Sequence, residues 1–219
     1  MRLTISLIFV FVLTYSIESV VARAVCDSTV AQLNFDTLRI EMGEFEILYS
    51  EELLQPVQAT YTVTCPDAFV GDCETTIGWR VSRAKEFAGY DVATSKPKHY
   101  EKNDWDRGHL IPVASVDCDC ASKALTYTYL NCALQDSGLN RGPWKQLEGQ
   151  ERKLAKSIDD EVEIIVDVLF DSQSAPMCYG CPTIPSAFRK TIIAGGDTMI
   201  YKFPNQDISE FDFSVFRIH

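Results

Sequence analysis

The chain has 219 residues, 46% of them hydrophobic, and a formal net charge of −11 at pH 7. That length suits one domain with a sizeable core. Beyond the N-terminal segment no stretch is long and apolar enough to span a bilayer, and the sequence has no internal repeat, low-complexity tract or Pro/Gly/Ser linker. These features argue against a multipass membrane protein and against a repeat protein.

The N-terminal segment predicts export. Arg2 precedes a short apolar run from Leu3 to Leu13, and Ala22-Arg23-Ala24 follows with the small-x-small pattern that signal peptidase reads. The run is shorter than the ~20 apolar residues that span a bilayer, although a membrane anchor is the alternative. We expect a signal peptide over residues 1–24, a secreted protein without stable membrane association, and a single domain over residues 25–219.

Eight cysteines follow the expected cleavage site: Cys26, Cys65, Cys73, Cys118, Cys120, Cys132, Cys178 and Cys181. An even number of cysteines in an exported chain favours disulfide bonds, although the pairing cannot be deduced from the sequence. The alternative is a zinc site built on Cys118-x-Cys120 and Cys178-x-x-Cys181. The first of these spacings is a poor match to structural zinc sites, so we favour disulfides.

Short runs of β-branched and aromatic residues predict strands in the first two thirds of the chain. The predicted strands are Phe45–Tyr49, Tyr61–Thr64, Ile77–Val81, Asp104–Leu110 and Leu125–Leu130, in the last of which Tyr127 and Tyr129 alternate with threonines.

One amphipathic helix is predicted over Asn140–Ser157. Trp144, Leu147 and Leu154 recur there at helical spacing, and Pro143 suits a first helical turn. Further strands are predicted at Val162–Phe170 and, around the turn Gly195-Gly196-Asp197, at Phe188–Ile193 and Met199–Phe203. The expected class is α+β, with a mixed or antiparallel sheet and one strong helix.

The charge is unevenly distributed. Thirteen basic and ten acidic residues lie between Arg80 and Lys156, whereas one basic and ten acidic residues lie between Val25 and Trp79. Local potential, rather than net charge, steers a ligand to a cleft. A polyanionic substrate therefore remains compatible with this acidic chain, although acidic ends also serve solubility alone.

The tetrapeptide Asp106-Arg107-Gly108-His109 is the first candidate for chemistry. Arg107 offers a planar donor fork suited to phosphate, Gly108 permits close backbone approach, and Asp106 can hold a backbone or ring in place. A lone histidine is more often structural, but these neighbours favour a catalytic role for His109.

Two further elements follow along the chain. Asn131-Cys132-Ala133-Leu134-Gln135 ends the predicted tyrosine-rich strand. Asn140 and Glu148 are eight residues apart, about two helical turns, so both side chains are expected on one side of the helix. Their oxygens are donors of the kind that Mg²⁺ accepts. The alternative for this pair is a capping asparagine and a solvent-facing glutamate.

Together these motifs resemble the DNA/RNA non-specific endonucleases of the ββα-metal (His-Me finger) type, the group that includes endonuclease G. The pattern D-R-G-H, then N-x-x-P-Q, then N-x-G-x-W-x-x-L-E appears as Asp106 to His109, Asn131 with Gln135, and Asn140 to Glu148. The resemblance covers about residues 45–205. Leu134 stands where proline is common, and the upstream arginine of the family has Arg83 as its nearest match, with Arg80 and Lys85 as alternatives.

The resemblance implies a ββα-metal fold and a mechanism. His109 would be the general base, Asn140 the protein ligand of one Mg²⁺ (with Mn²⁺ as an alternative), and Glu148 the residue that holds water on the metal. Arg107 would pair with the phosphate, and further substrate contacts are expected from Arg141, Lys145 and Arg83. Asp106 and Asn131 would be structural supports.

The function expected from the resemblance is secreted, Mg²⁺-dependent hydrolysis of DNA and RNA without base specificity. Two alternatives stay open: an inactive nuclease fold that only binds nucleic acid, and a secreted interaction protein stapled by disulfides. The sequence leaves the oligomeric state and the preference between DNA and RNA open.

Overall fold

The computed structural model describes residues 36–43, 45–67, 78–80, 83–89, 91–158 and 160–218. The expected signal peptide, Cys26, Cys73 and both ends of the predicted strand Ile77–Val81 lie outside these residues. Among the helices that the structure describes, none is long and apolar enough to cross a membrane.

Nine strands are described, and they form two sheets. In chain order they are β1 Leu38–Met42, β2 Phe45–Ser50, β3 Gln55–Thr62, β4 Trp105–His109, β5 Cys132–Asp136, β6 Val162–Leu169, β7 Ala187–Ala194, β8 Asp197–Pro204 and β9 Arg217–Ile218. The larger sheet has seven strands in the order β1-β2-β3-β6-β7-β8-β9, with every neighbouring pair antiparallel. Strands β4 and β5 form a separate two-stranded sheet.

Among the helices that the structure describes, all but one are short. They are α1 Arg83–Ala88, α2 Val113–Val116, α3 Cys120–Thr126, α4 Ser137–Leu139 and α5 Lys145–Ser157, with a π-type turn over Asn140–Trp144 and 3₁₀ turns at Pro97–Tyr100, Tyr129–Asn131 and Phe213–Phe216.

The core lies between the large sheet and the segment that runs from β5 into α5. Along β6, Val162, Ile164 and Val166 alternate with more exposed residues and are buried, as expected for a strand with one face on the core. Trp144 and Leu147 bring the start of α5 into the same hydrophobic cluster. This packing anchors the helix, and with it the residues expected to carry chemistry, to the centre of the sheet.

Several predicted strands are confirmed: Phe45–Tyr49, Asp104–Leu110 and Val162–Phe170 each contain or match an observed strand. The predicted closing pair is the hairpin β7–β8, whose turn residues Gly195 and Gly196 have φ values of +56° and +81°. Two successive left-handed residues suit a tight hairpin turn that glycine adopts without strain.

The strand predicted at Leu125–Leu130 is wrong. Helix α3 ends at Thr126 and a 3₁₀ turn begins at Tyr129. The alternating Tyr127 and Tyr129 rings both pack against Trp79, so the alternation reflects an aromatic cluster rather than a pleated strand. The actual strand follows it as β5.

The single helix predicted over Asn140–Ser157 is interrupted. Gly142 has φ −95° and ψ −117°, outside the helical region, and α5 begins at Lys145. A Cβ on Gly142 would lie 3.1 Å from Cα of Ser209, so the C-terminal segment crowds this break. Asp136 caps the preceding turn by accepting from the backbone N–H groups of residues 138 and 139, which removes the capping alternative for Asn140.

Disulfide bonds are confirmed. Cys65 pairs with Cys118 and Cys178 pairs with Cys181. Cys120 is also disulfide-bonded, so the alternative of a zinc site on the two cysteine pairs is excluded. Cys132 is a free, buried thiol.

Candidate active site

The β4–β5 hairpin presents the Asp106-Arg107-Gly108-His109 tetrapeptide, with Gly108 opposite Ala133 and His109 opposite Cys132. A Cβ on Gly108 would lie 2.4 Å from Oε1 and 2.6 Å from Cβ of the buried Gln135 side chain. The second contact is close to the backbone of Gln135 and cannot be relieved by moving the amide alone. Glycine is therefore required by close packing between the two strands.

His109 is held in a partly buried aromatic environment. Its ring centroid lies 4.5 Å from that of Trp79 and 5.2 Å from that of Tyr127, which meets it edge-on. Its Nε2 has no hydrogen-bond partner among the described residues. Burial lowers the pKa of His109 to about 4, because the cationic form loses hydration. The imidazole is therefore neutral near pH 7 and has a nitrogen ready to accept a proton.

Asp106 connects the hairpin to the residues that follow β5. Nδ2 of Asn140 donates to its Oδ2 at 2.9 Å, and Arg141 donates from Nε and Nη2 to Oδ2 and Oδ1 at 2.8 and 2.6 Å. Burial opposes ionisation of Asp106, but the bonds from Arg141 and Asn140 outweigh it and hold its pKa below the usual value. Because Asn140 uses its amide nitrogen here, its amide oxygen is the atom that remains for a cation.

Glu148 lies on α5, beyond the break at Gly142. Burial raises the pKa of Glu148 to about 7; Lys190 opposes the shift and Glu151 adds to it. Arg152, one turn further along α5, also lowers this pKa, and the sequence analysis missed it. A glutamate followed four residues later by an arginine on a helix is a recognisable pairing signal that could have indicated it.

Arg107 shares the aromatic cluster with His109. Its guanidinium carbon lies 5.5 Å from the centroid of Tyr100. Burial raises the pKa of Tyr129, and the positive charge of Arg107 acts in the opposite direction. Nε of Arg107 has no partner within the described parts of the chain. The planar cation is thus oriented by flat rings and retains donor capacity.

Asn131 is fully buried, and its side-chain amide forms hydrogen bonds with the backbone. Its Oδ1 accepts from the N–H of Ile111 at 2.9 Å, and its Nδ2 donates to the carbonyls of Ile111 and Thr126 at 3.0 and 3.1 Å. These bonds fix the chain that leaves β4 directly after His109.

Asn205 fixes the other end of the hairpin. It accepts from the N–H of Asp136 at 2.8 Å and donates to the carbonyls of Leu134 and Pro185 at 3.0 and 2.9 Å. Hydrogen bonds from Asn205 therefore attach strand β5 of the small sheet to the end of β8.

The structure defines the other basic residues predicted to contact the substrate less closely. Lys145 is exposed at the first position of α5, and Arg141 has an exposed side chain although it is paired with Asp106. The side chain of Arg83 lies outside what the structure describes. Arg80 is exposed and forms an isolated bridge with Thr128, beside the aromatic cluster.

A metal ion would find few acidic or soft ligands here. Within the described ranges no group of three or more His, Cys, Asp or Glu side chains could hold one. A cation bound through the Asn140 amide oxygen, with Glu148 on α5 beyond the break at Gly142, would keep most of its shell as water. Such a donor set fits Mg²⁺, which dehydrates reluctantly.

Comparison with known proteins identifies the family. Residues 28–219 match the DNA/RNA non-specific endonuclease family. A nuclease of Serratia marcescens is 33% identical over 121 residues, which are 52% of this chain and 45% of that relative, so the match spans about half of each protein.

The fold also matches a solved structure. An endonuclease chain in the crystal structure of an EndoG/EndoGI complex superposes with a TM-score of 0.69 at 18% identity, covering 86% of this chain and 82% of that chain. This likeness confirms the α+β class and the two-strand-plus-helix arrangement of β4, β5 and α5. The chain belongs to the DNA/RNA non-specific endonuclease family and has its ββα-metal fold.

Proposed function

We propose that the chain is a metal-dependent endonuclease that hydrolyses phosphodiester bonds of DNA and RNA. One observation carries the proposal: strand β4 bears both an imidazole with an unpartnered Nε2, judged over the described residues, and the carboxylate that holds Asn140 by its amide nitrogen. A proton acceptor and a cation ligand are thus attached to one short strand. Family membership supports the same chemistry.

His109 would act as the general base. Burial keeps the imidazole unprotonated well below neutral pH, so it can take a proton from an attacking water throughout the physiological range. The lowered pKa makes it a weaker base than a free imidazole. The rings of Trp79 and Tyr127 pack against the imidazole and would restrict its rotation, which would favour a productive orientation of Nε2.

Asn140 would hold a divalent cation through its amide oxygen, with Mg²⁺ as the first candidate and Mn²⁺ as the second. When bound, the cation supplies a Lewis acid that stabilises charge on the phosphoryl oxygens. Asp106 orients Asn140, and Glu148 would orient water beside the cation. The role proposed for each of these three residues thus matches the chemistry of its side chain.

The substrate would be bound through the phosphates of the nucleic-acid backbone. Arg107 on β4 is the candidate for the scissile phosphate, and Lys145 is an exposed cation at the start of α5. Arg141 bonds Asp106 through Nε and Nη2, which leaves Nη1 for a phosphate oxygen. Arg83 is the proposed upstream contact. Phosphate contacts position a nucleic acid without reading its bases, so cleavage would have little sequence preference.

We also propose that the protein is secreted after removal of residues 1–24. The apolar run after Arg2 and the Ala22-Arg23-Ala24 site support this. The disulfides at Cys65–Cys118 and Cys178–Cys181 support an oxidising compartment.

The test is nicking of supercoiled plasmid and cleavage of single-stranded RNA by the purified chain, with Mg²⁺ and with EDTA. We expect cleavage of both substrates only with the metal, and a loss of roughly 10²- to 10⁴-fold in His109→Ala, as for removal of a general base. His99→Asn is the matched control. His99 is also buried, but its Nδ1 accepts from the N–H of Lys96, a bond that asparagine can replace.

The other outcomes separate the alternatives. Binding without cleavage in Mg²⁺ would indicate an inactive nuclease fold that only holds nucleic acid. Neither binding nor cleavage would favour a disulfide-stapled interaction protein. Full activity in His109→Ala would remove the assignment of the base.

A further inference from the structure

Trp79 lies against the proposed general base. Its indole centroid is 4.5 Å from the centroid of the His109 imidazole, with an angle of 42° between the two rings. Tyr127 meets the same indole edge-on at 5.7 Å, and the ring of Tyr129 lies 5.5 Å from it. Trp79, His109 and Tyr127 are all half-buried. The three rings therefore form one aromatic surface that is partly open to solvent.

The chain that follows Trp79 holds it beside the site. The backbone N–H of Arg80 donates to the carbonyl of Tyr127 at 3.1 Å, and Arg80 forms a bridge with Thr128. These contacts attach Trp79 to the segment that leads into β5, the strand whose first residue is opposite His109. Backbone hydrogen bonding thus adds to the ring contacts that hold the indole in place.

The exposure of Trp79 distinguishes it from a core tryptophan. Trp144, which packs on Phe188 and Phe203, is 1% exposed and belongs to the hydrophobic core. Trp79 instead leaves part of a large, flat ring at the surface, and the next residue, Arg80, has an exposed side chain. Proteins that bind single strands without sequence preference combine such aromatic surfaces with cations that contact the phosphates.

The location of the indole determines which nucleotide it would meet. In the proposed reaction one attacking water lies between Nε2 of His109 and the scissile phosphorus, about 3 Å from each. Trp79 contacts the same imidazole, so it lies within the span of one nucleotide from the scissile phosphate. The base of a nucleotide that flanks the cleaved bond can therefore reach the indole while its phosphate is bound beside His109.

We propose that Trp79 is a base-stacking subsite: its solvent-facing indole surface accepts the face of one unstacked nucleobase beside the cleaved bond. The preferred substrates are then single-stranded DNA and RNA and the unpaired regions of duplexes, because a paired base must first leave its stack at a cost in free energy. Every base has a π-face, so the subsite adds affinity without adding sequence specificity. The inference deepens the proposed nuclease function and rests on it.

The experiment compares the binding of two short single strands of equal length in EDTA, by fluorescence anisotropy of a dye on the strand. One is a thymidine oligonucleotide, and the other is an abasic oligonucleotide with the same phosphates. The unmodified protein should bind the thymidine strand roughly 5- to 100-fold more tightly, the gain expected from stacking one base on an aromatic side chain. Trp79→Leu should lose this preference without losing affinity for the abasic strand. Trp79→Phe, which retains an aromatic ring, should keep most of the preference.

Trp105→Leu is the matched control. Trp105 is also half-buried on the same hairpin, but it begins β4 opposite Asp136, at the end of the strand away from His109. This variant should retain the preference for the thymidine strand. Equal affinities of the unmodified protein for the two strands, or an equal loss of preference in Trp79→Leu and Trp105→Leu, would overturn the proposal.

A second measurement applies even if Trp79→Leu fails to fold. A base stacked on an indole quenches its fluorescence, so the thymidine strand at saturation should quench the unmodified protein more than the abasic strand does. This excess quenching should disappear in Trp79→Phe, which removes the indole but keeps a ring to pack on His109, and should remain in Trp105→Phe. Excess quenching that persists in Trp79→Phe would refute the assignment of the stacking residue.

The result is separable from that of the nuclease assay. Cleavage in Mg²⁺ without base-dependent binding would refute the subsite and leave the proposed function standing. Base-dependent binding without cleavage would refute the proposed function and leave the stacking surface standing. In an active enzyme, the ratio of cleavage rates on single-stranded over double-stranded DNA should fall in Trp79→Leu but not in Trp105→Leu, and equal ratios in the two variants would contradict the proposed substrate preference.

Discussion

Acidification should destabilise the protein through His109 in a measurable way. The unfolded chain protonates this imidazole below about pH 6.5, whereas burial in the folded protein lowers its pKa to about 4. Between these values the unfolded state binds more protons, so the stability contributed by the neutral, buried ring is fully present above pH 6.5 and is lost as the pH falls towards 4.

The magnitude follows from the difference between the two pKa values. About two and a half units at 1.36 kcal/mol each give an upper value of about 3 kcal/mol. Because the ring is partly exposed, we expect about 2 kcal/mol of the free energy of unfolding to disappear. That is a substantial part of the ~5–15 kcal/mol that stabilises a typical domain.

The assay is urea unfolding in EDTA, followed by tryptophan fluorescence, at a series of pH values between about 7 and about 4. His109→Asn is the reference, because every other titrating group, including Glu148, is common to both proteins and cancels in the difference. The unmodified protein should lose about 2 kcal/mol more than the variant over this range. Parallel losses in the two proteins would mean that His109 is not held neutral by burial.

Two further predictions concern support and substrate. Asn131→Ala should reduce the free energy of unfolding by about 3 kcal/mol, since three buried hydrogen bonds at ~1 kcal/mol each are lost, whereas Asn103→Ala, at an exposed amide, should lose about 1 kcal/mol or less in the same urea titration. A similar loss in both would contradict the structural role of Asn131. Lys145→Gln should weaken DNA binding equally for unrelated sequences and reduce the salt slope by about one; an unchanged slope would mean that Lys145 makes no phosphate contact.

The parts of the fold that the sequence predicted are those with strong local signals. The β7–β8 hairpin was predictable because Gly195 and Gly196 allow a left-handed turn between two apolar runs. The buried strand β6 was predictable from its apolar residues alone.

The errors arose where tertiary contacts override local pattern. The alternation of Tyr127 and Tyr129 is typical of a strand, but both rings instead pack on Trp79, and Tyr127 also contacts His109. The break at Gly142 depends on Ser209, a residue distant in sequence, and no periodicity in the helix indicates it.

The candidate site also has a part that could be predicted from the sequence and a part that could not. The motif residues were identifiable by type and spacing, but the partners of their side chains were not. Asp106 binds Asn140 and Arg141, and Lys190 forms a buried ion pair with Glu151; both depend on segments far apart in the chain. Hydrogen-bond partners and burial are properties of the packed structure, and these determine the charge states on which the chemistry depends.

The Cys65–Cys118 bond has a consequence for survival among proteases. It closes a segment that contains β4, and therefore Arg107 and His109, and its two cysteines are 53 positions apart in the sequence. A single backbone cut anywhere inside that segment leaves two fragments that are still covalently joined, and β4 remains paired with β5. In a molecule cut outside β4, the strand with Arg107 and His109 thus stays covalently linked to both fragments, through the backbone on one and through the disulfide on the other. In a digestive or microbial fluid, proteolytic nicking inside this segment would therefore increase the number of chain ends without an equal loss of active molecules.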